Sequence, residues 1–117
     1  MASRRAAIMA ALDRRIEQAV TRIAVNATAE LVATTPVDTG WARANWIPSV
    51  GQPASGTGAS RQAAGLAEAV AFQLADGKAF VTNNVPYIRR LNGGSSKQAP
   101  SMFVEHAVAK AVQESRR

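Results

Sequence analysis

The 117-residue chain contains no cysteine and only one histidine. Without thiols it forms no disulfide framework and does no thiolate chemistry, and this composition fits a reducing compartment. A zinc site needs about four Cys, His or carboxylate ligands, so we expect no zinc and no other cofactor. His106 lies inside a predicted helix with no Ser or Cys nucleophile near it in sequence, which favours a surface or packing role over general-base catalysis.

Long apolar runs are also missing. The first residues, MASRRAAIMAALDRR, begin like a signal peptide, but their apolar run covers only about seven residues before Asp13, Arg14 and Arg15 end it. No run approaches the roughly 18 residues of a membrane span. The sequence predicts a soluble protein made inside the cell, with no membrane partner and a single domain over residues 1–117.

Aromatic residues are scarce as well, at 5% of the chain against 47% for all apolar residues. Much of the apolar share is alanine, which buries little area per residue, so the core should be thin. The 14 Lys and Arg residues outnumber the 8 Asp and Glu residues and give a formal charge of +6. This excess indicates attraction to polyanions or to acidic protein surfaces without deciding between them.

The N-terminal third has no Pro or Gly from about residue 3 to residue 34, and its aliphatic residues recur in steps of three and four. These positions predict one stripe of a helix: Ile8, Leu12, Ile16, Val20, Ile23 and Leu31. The helix would be roughly 45 Å long at about 1.5 Å per residue, which exceeds what a thin domain can cover. We therefore expect part of the stripe to face a neighbouring subunit. Pro36 should end the helix.

Residues 41–50 are rich in aromatic and β-branched types and are compatible with a strand. Alternatively, Asp38 caps one short helical turn and the strand begins near Trp46. Residues 51–60, GQPASGTGAS, have the composition of a flexible loop. Residues 59–75 predict a helix through Leu66, Val70 and Leu74, with Gly77 at its stop.

KAFVTN, residues 78–83, predicts a short strand. NGGSSKQAP, residues 92–100, has the Gly and Ser content of a mobile arm. The last helix is expected over residues 100–115, with Pro100 in its first turn and Val104, Ala107, Val108, Ala111 and Val112 on one face. The predicted fold class is α+β: a long N-terminal helix, a small antiparallel sheet, a middle helix and a C-terminal helix, with two flexible Gly-rich loops.

Three short motifs resemble catalytic or nucleotide-binding signatures only in part. GTGASR lacks the last glycine of a dinucleotide loop, and GGSSK lacks the Gly-Lys-Ser/Thr order of a phosphate loop, so both are better explained as linkers. The Asp-Thr-Gly sequence at residues 38–40 is shared with aspartic proteases, which need two such carboxylates together. A structural turn formed by Pro36, Asp38 and Gly40 is the better interpretation.

Aromatic residues next to arginines suggest a further candidate, a basic nucleic-acid-binding protein. Arg89 and Arg90 follow Tyr87, and Arg43 lies between Trp41 and Trp46. Such pairs can stack bases and neutralise phosphates. The alternative is that the tryptophans pack the core. We favour the core for Trp46 and leave Trp41 open.

Two separated blocks point to a known family. TPVDTGWARANW and, after a Gly-rich loop, FVTNNVPYIRRLNGGSSKQAP with a terminal helix resemble the tail-completion or neck proteins of long-tailed bacteriophages. In that family a long first helix ends in TPVDTG, an Arg and a Trp-like residue follow, and a later (I/V)-(S/T)-Asn-Asn-x-Pro-Tyr block precedes a Lys-Gln-Ala-Pro-like segment. The resemblance covers the chain from about residue 35 to its end.

The resemblance implies a non-enzymatic virion protein of the phage neck, without a small-molecule ligand. It implies a ring of about six copies at the head-proximal end of the tail, acting in tail completion and head-tail joining. The expected partners are other copies of the chain, the tail tube protein and the head connector or stopper proteins, with genomic DNA passing through the ring. The expected location is the virion, and the host cytoplasm during assembly. Candidate interface residues are Trp41, Arg43, Tyr87, Arg89, Arg90 and Lys97.

Overall fold

The structure is a computed structural model that describes residues 3–36, 40–94 and 101–116. It confirms the α+β fold class, with five α-helices and a two-stranded antiparallel sheet in the described part of the chain. A 3₁₀ turn, Leu74–Asp76, precedes the second strand. In chain order the elements are α1 (Arg4–Thr34), α2 (Trp41–Ala44), β1 (Ile47–Val50), α3 (Arg61–Val70), β2 (Ala79–Thr82), α4 (Ile88–Asn92) and α5 (Phe103–Glu114).

Helix α1 has the length and the stop that the sequence predicts. It begins after Ser3, whose hydroxyl accepts a hydrogen bond from the Ala6 amide at 3.0 Å and so caps the first turn. It runs for 31 residues and ends at Thr34, two residues before Pro36. The proline prediction is therefore confirmed, since the chain leaves the helical region at Thr35.

Helix α1 packs against the rest of the chain from Glu17 onward, where the Glu17 carboxylate accepts a hydrogen bond from the Leu74 amide at 2.9 Å. Its buried residues are Ala24, Ala27, Thr28 and Leu31. Every residue from 3 to 16 is exposed, and we call this segment the α1 extension. The apolar stripe of α1 is thus continuous, but the domain covers only its C-terminal part. This agrees with the expectation that the helix is longer than a thin domain can cover.

The core lies where the end of α1 meets α5 and β1. Its buried members Leu31, Trp46, Phe103 and Ala107 form one cluster. Helix α5 runs antiparallel to α1, because the Ser115 carbonyl accepts a bond from Arg22 at 3.3 Å while Lys110 lies 3.3 Å from Glu30. The exposed ion pair contributes little stability, so apolar burial holds the two helices together.

The sheet joins the middle of the chain to this core. Strands β1 and β2 pair antiparallel with Ile47 opposite Thr82 and Val50 opposite Ala79. Helix α3 lies so close to β1 that a Cβ on Gly65 would be 2.2 Å from the Pro48 carbonyl oxygen. A glycine at this position therefore permits the close contact between helix and strand.

The middle helix is shorter than the sequence predicts, and it buries a different set of side chains. Helix α3 ends at Val70, because Phe72 turns into the core and is buried. The helix buries Gly65 and Ala69, whereas Val70 is 64% exposed and Leu74 38% exposed. The close approach of β1 selects small side chains on the packed face and leaves the larger ones outside.

Two further differences concern the C-terminal part. The short helix α4 follows the Pro86 turn, where no helix was predicted. Helix α5 begins at Phe103 after Met102, which has a positive φ of 64°. Pro100, Lys97 and the predicted arm beyond Gly94 lie outside the described residues. No helix in the described ranges combines the length and apolarity needed to cross a bilayer.

We expect Gly65→Ala to lower the free energy of unfolding by about 1–2 kcal/mol. Alanine favours a helix by about 1 kcal/mol over glycine, but the methyl group would meet the backbone carbonyl of Pro48, so its packing cost should be about 2–3 kcal/mol, the upper part of the usual range. Urea unfolding measures the change. The control is Ala64→Ser at an exposed position of the same helix, which should change stability by under about 0.5 kcal/mol. A Gly65→Ala protein as stable as the wild type would contradict this packing.

Candidate functional site

The end of α1 is closed by side chains from the segment that follows it. The last carbonyls of a helix have no partners within the helix, and a cation near them is favourable. Arg43 donates from Nε to the Thr35 carbonyl and from an Nη to the Ala33 carbonyl, both at 3.3 Å. Arg43, predicted as an interface residue, is therefore half-buried and engaged within the chain.

Trp46 lies beneath the same turn. Its indole Nε1 donates to the Thr35 hydroxyl at 2.7 Å, and that hydroxyl donates to the Leu31 carbonyl. Trp46 is 5% exposed and Thr35 only 1%. The prediction that Trp46 belongs to the core is confirmed. The bond also satisfies the indole N–H, which would be costly to bury without an acceptor.

The two sequence blocks meet at this turn. The Asn83 side-chain amide donates to the Ala42 carbonyl at 2.8 Å, and its oxygen accepts from the Val85 amide at 3.0 Å. The rings of Trp41 and Tyr87 lie edge to face with centroids 5.7 Å apart and an interplanar angle of 64°. Residues 34–36, 40–46 and 83–91 thus form one connected structure, which we call the corner.

The Gly-rich loop is tied to the corner by two further asparagines. Asn45 is 2% exposed, and its side chain donates to the Trp41 carbonyl at 2.8 Å and accepts from the Gly58 amide at 2.7 Å. Asn84 donates to the carbonyls of Ala54, at 2.8 Å, and Gly56, at 3.1 Å. Residues 54–58 therefore have fixed partners in the domain, although the sequence predicts a flexible loop.

The predicted interface residues fall into two groups. Trp41, which the sequence left open, is 43% exposed and contacts half-buried Tyr87, and Arg89 and Arg90 are exposed on α4. All four belong to the corner, and Trp41 and Tyr87 are in contact. Arg43 is internal, and Lys97 lies outside the described residues. Gly40 turns the chain with a φ of 73°, whereas Asp38 also lies outside them.

The short helix α2 settles the choice left open for residues 41–50. A helical turn, Trp41–Ala44, precedes the strand, which begins at Ile47. Gly40 occupies the N-cap position without a side-chain hydrogen bond. The helical turn aims Ala42 inward, where it is 2% exposed, and leaves Trp41 at the surface.

Sequence reasoning missed three polar residues of the corner: Thr35, Asn45 and Asn83. Each is an ordinary polar residue in sequence, and its bonding partners come from other segments. Their position in the sequence was the one feature that could have identified them, since all three lie inside or beside the blocks that carry the family resemblance. Thr35 and Asn45 are buried and Asn83 is half-buried, and breaking hydrogen bonds of such side chains is costly, which favours a shape-determining role.

The described residues contain no group of three His, Cys, Asp or Glu side chains placed to hold a metal ion. His106 is exposed on α5 and borders an open cavity of about 200 Å³ with Glu30 and Lys110. Arg89 borders a second cavity of about 190 Å³, together with Trp46 and Asn92. The corner presents an exposed tryptophan and two exposed arginines on a rigid base, an arrangement suited to binding an acidic surface.

We expect Thr35→Val to lower the free energy of unfolding by about 1–3 kcal/mol, because the Trp46 indole N–H would remain buried without an acceptor. In a double-mutant cycle with Trp46→Phe, the two changes should couple by about 0.5–3 kcal/mol. Thermal or urea unfolding gives the values. The matched control is Thr34→Val with Trp46→Phe, since the neighbouring Thr34 hydroxyl donates to Glu30 and not to the indole. Additivity in the Thr35 cycle would contradict the bond.

Comparison with known proteins returned no match: no family model fits the chain, and neither curated proteins nor solved structures contain a similar one. Three features bear on function: the geometry of the corner, the exposure of α1 and the motif resemblance. All three concern the same two sequence blocks and the helix that precedes them.

Proposed function

We propose that the chain is a structural protein of a bacteriophage neck, where it forms a ring at the head-proximal end of the tail and takes part in tail completion and head-tail joining. The observation that carries the proposal is the corner. The two blocks that resemble the tail-completion family are about 40 residues apart in sequence, and they are joined by the Asn83 bond and the Trp41–Tyr87 contact. A shared motif pair that builds one substructure supports a shared architecture.

The charge and the shape of the chain also favour an assembly role. Six copies, each at a formal +6, would place about +36 around a ring, which suits DNA passage or an acidic partner ring. The chain extends 60 Å in its longest dimension, and its radius of gyration is 16.3 Å, against about 13 Å for a compact domain of this size. An uncovered helix of this length is typical of a subunit that completes its packing with partners.

In this proposal the chain is not an enzyme and needs no cofactor. Its partners are other copies of itself, the tail tube protein and the head connector or stopper proteins. Trp41, Tyr87, Arg89 and Arg90 supply the contact surface at the corner. The chain resides in the virion after assembly in the host cytoplasm.

Deletion of the gene from the phage that encodes this chain should leave DNA-filled heads and separate or irregular tails. Electron microscopy of lysates measures the fraction of joined particles, and a plasmid copy of the wild-type gene should restore it. Normal joined particles in the deletion strain would overturn the proposal.

The same complementation tests the corner surface. We expect Arg89→Glu with Arg90→Glu to restore few joined particles, because the exposed cations would be reversed where an acidic partner binds. Lys78→Glu, an exposed charge reversal before β2, is the matched control and should restore joining. Both proteins must unfold at similar urea concentrations. Equal complementation by the two variants would remove the corner from the interface.

The second candidate function, nucleic-acid binding, is favoured by the exposure of Trp41, Arg89 and Arg90 at the corner. Against it, Arg43 is bonded to the end of α1 and the rings of Trp41 and Tyr87 meet edge to face. A stacking platform offers ring faces to successive bases. A salt titration of DNA affinity separates the candidates, since each phosphate contact adds about −0.9 to the slope of log K against log salt. Tight binding with a steep slope would favour this second function.

A further inference from the structure

The α1 extension carries a stripe of large apolar side chains that this chain does not cover. Ile8, Met9, Leu12 and Ile16 are 54%, 52%, 45% and 49% exposed. Ile8, Leu12 and Ile16 are spaced four residues apart and therefore lie on one face of the helix. Single exposed apolar residues are normal on a protein surface, but a contiguous stripe marks a binding surface.

A second uncovered apolar surface lies further along the same helix. An open groove of about 330 Å³ runs between α1, β2 and α5, and we call it the α1–α5 groove. Its volume is about twice the roughly 150 Å³ of a dry cavity that holds one benzene molecule. It could thus take two branched aliphatic side chains. Its lining includes Val20, Ile23, Ala27, Val81, Val104 and Val108.

The stripe and the groove belong to one continuous face. Residues 8, 12, 16, 20, 23 and 27 advance in steps of three and four, so the stripe leads directly into the groove wall. Because α1 is one uninterrupted helix, the extension cannot fold back into the groove of its own chain. Any cover for both surfaces therefore comes from another molecule.

The accessible area matches a second copy. The chain exposes 7554 Å², whereas size scaling gives roughly 6,100 Å² for a compact protein of 12.3 kDa. The excess of about 1,450 Å² is close to twice the roughly 800 Å² that each partner contributes to a stable interface. A subunit with two different contact faces, one toward each neighbour, would bury this amount.

We infer that the α1 extension of one copy docks in the α1–α5 groove of the next copy. The contact is head to tail, since two different surfaces meet, and repetition closes it into a ring when the rotation permits. This inference depends on the proposed function in one respect only, namely that copies of the chain form a ring. Pairing of two extensions with each other would leave both grooves open.

Disulfide trapping tests the interface directly, because the chain has no cysteine of its own. Leu12→Cys places a thiol on the stripe, and Val108→Cys places one on the groove. Both positions are exposed, at 45% and 40%, so the variants should fold. Trapping also captures weak contacts, since the covalent product accumulates.

A disulfide between these positions cannot form within one chain. The bonds of Arg22 to Ser115 and of Glu30 to Lys110 place α5 over residues 22–30 of α1. Leu12 lies ten residues before Arg22, roughly 15 Å along the helix. Disulfides need Cα atoms within about 7 Å, so any product joins two chains.

Mixing the Leu12→Cys and Val108→Cys proteins, one with a larger tag, should give a mixed disulfide dimer under mild oxidation. Docking holds the thiols at an effective concentration near millimolar, so the yield should exceed that of a control mixture by about a hundredfold at ~10 µM protein. The control replaces Leu12→Cys by Ala10→Cys, an exposed position on the opposite face of the helix. The double variant should give a ladder of covalent oligomers.

Three results would overturn the inference. A Leu12→Cys homodimer that dominates the products would show that two extensions pair with each other. A mixed dimer no more abundant than that of the Ala10→Cys control, together with a wild type that self-associates in sedimentation, would leave the ring of the proposed function and remove this interface. A wild type that stays monomeric at millimolar concentration, together with no mixed dimer from the Leu12→Cys and Val108→Cys proteins, would remove the ring premise as well.

Discussion

The hydrogen bond between the Trp46 indole and the Thr35 hydroxyl fixes how the end of α1, which stops before Pro36, meets the sheet. Both groups are buried, and the Thr35 hydroxyl passes the link on to the Leu31 carbonyl in the last turn of the helix. Arg43 donates to two further carbonyls at this end, those of Ala33 and Thr35. With the end of α1 held in this way, α5 can pack along its second half and the core can form around Leu31 and Phe103.

Because the C-terminal end of α1 is anchored in the domain, the α1 extension points away from it. A free peptide of about 14 residues would be only marginally helical in water. The α1 extension avoids the cost of nucleation because it propagates from the packed half of the helix. All of its residues are exposed, so local opening should cost little there. Docking on another copy would add that protection, which links the anchored end of the helix to assembly at its free end.

Much of the fold could be predicted from sequence because it follows from local chemistry. The stripe of α1, the stop at Pro36 and strand β2 depend on periodicity, on proline and on β-branched residues. The length of α3 could not be predicted, since it depends on Phe72 reaching the core and on the close contact of Gly65 with Pro48. Helix α4 is five residues long and lacks a periodic signal.

The sequence predicted where the candidate site lies, but not the role of each residue in it. Trp41 and Arg43 are close in sequence and both looked available, yet the fold leaves Trp41 at the surface and turns Arg43 onto the end of α1. Asn45 and Asn83 gave no signal, because their partners lie on segments that only the tertiary structure brings together. Sequence patterns specify which face of a helix is apolar and where the helix ends. Side-chain hydrogen bonds between separate segments depend on the assembled fold.

Hydrogen exchange along α1 tests the central claim most directly: one end of this helix is anchored in the domain, and the other is covered only by another copy. In dilute protein, amides of residues 8–16 should exchange faster than those of residues 24–34 by about tenfold or more, and they should become protected as concentration rises and copies associate. Equal protection along the whole helix in the monomer, or no gain in residues 8–16 on association, would contradict the account.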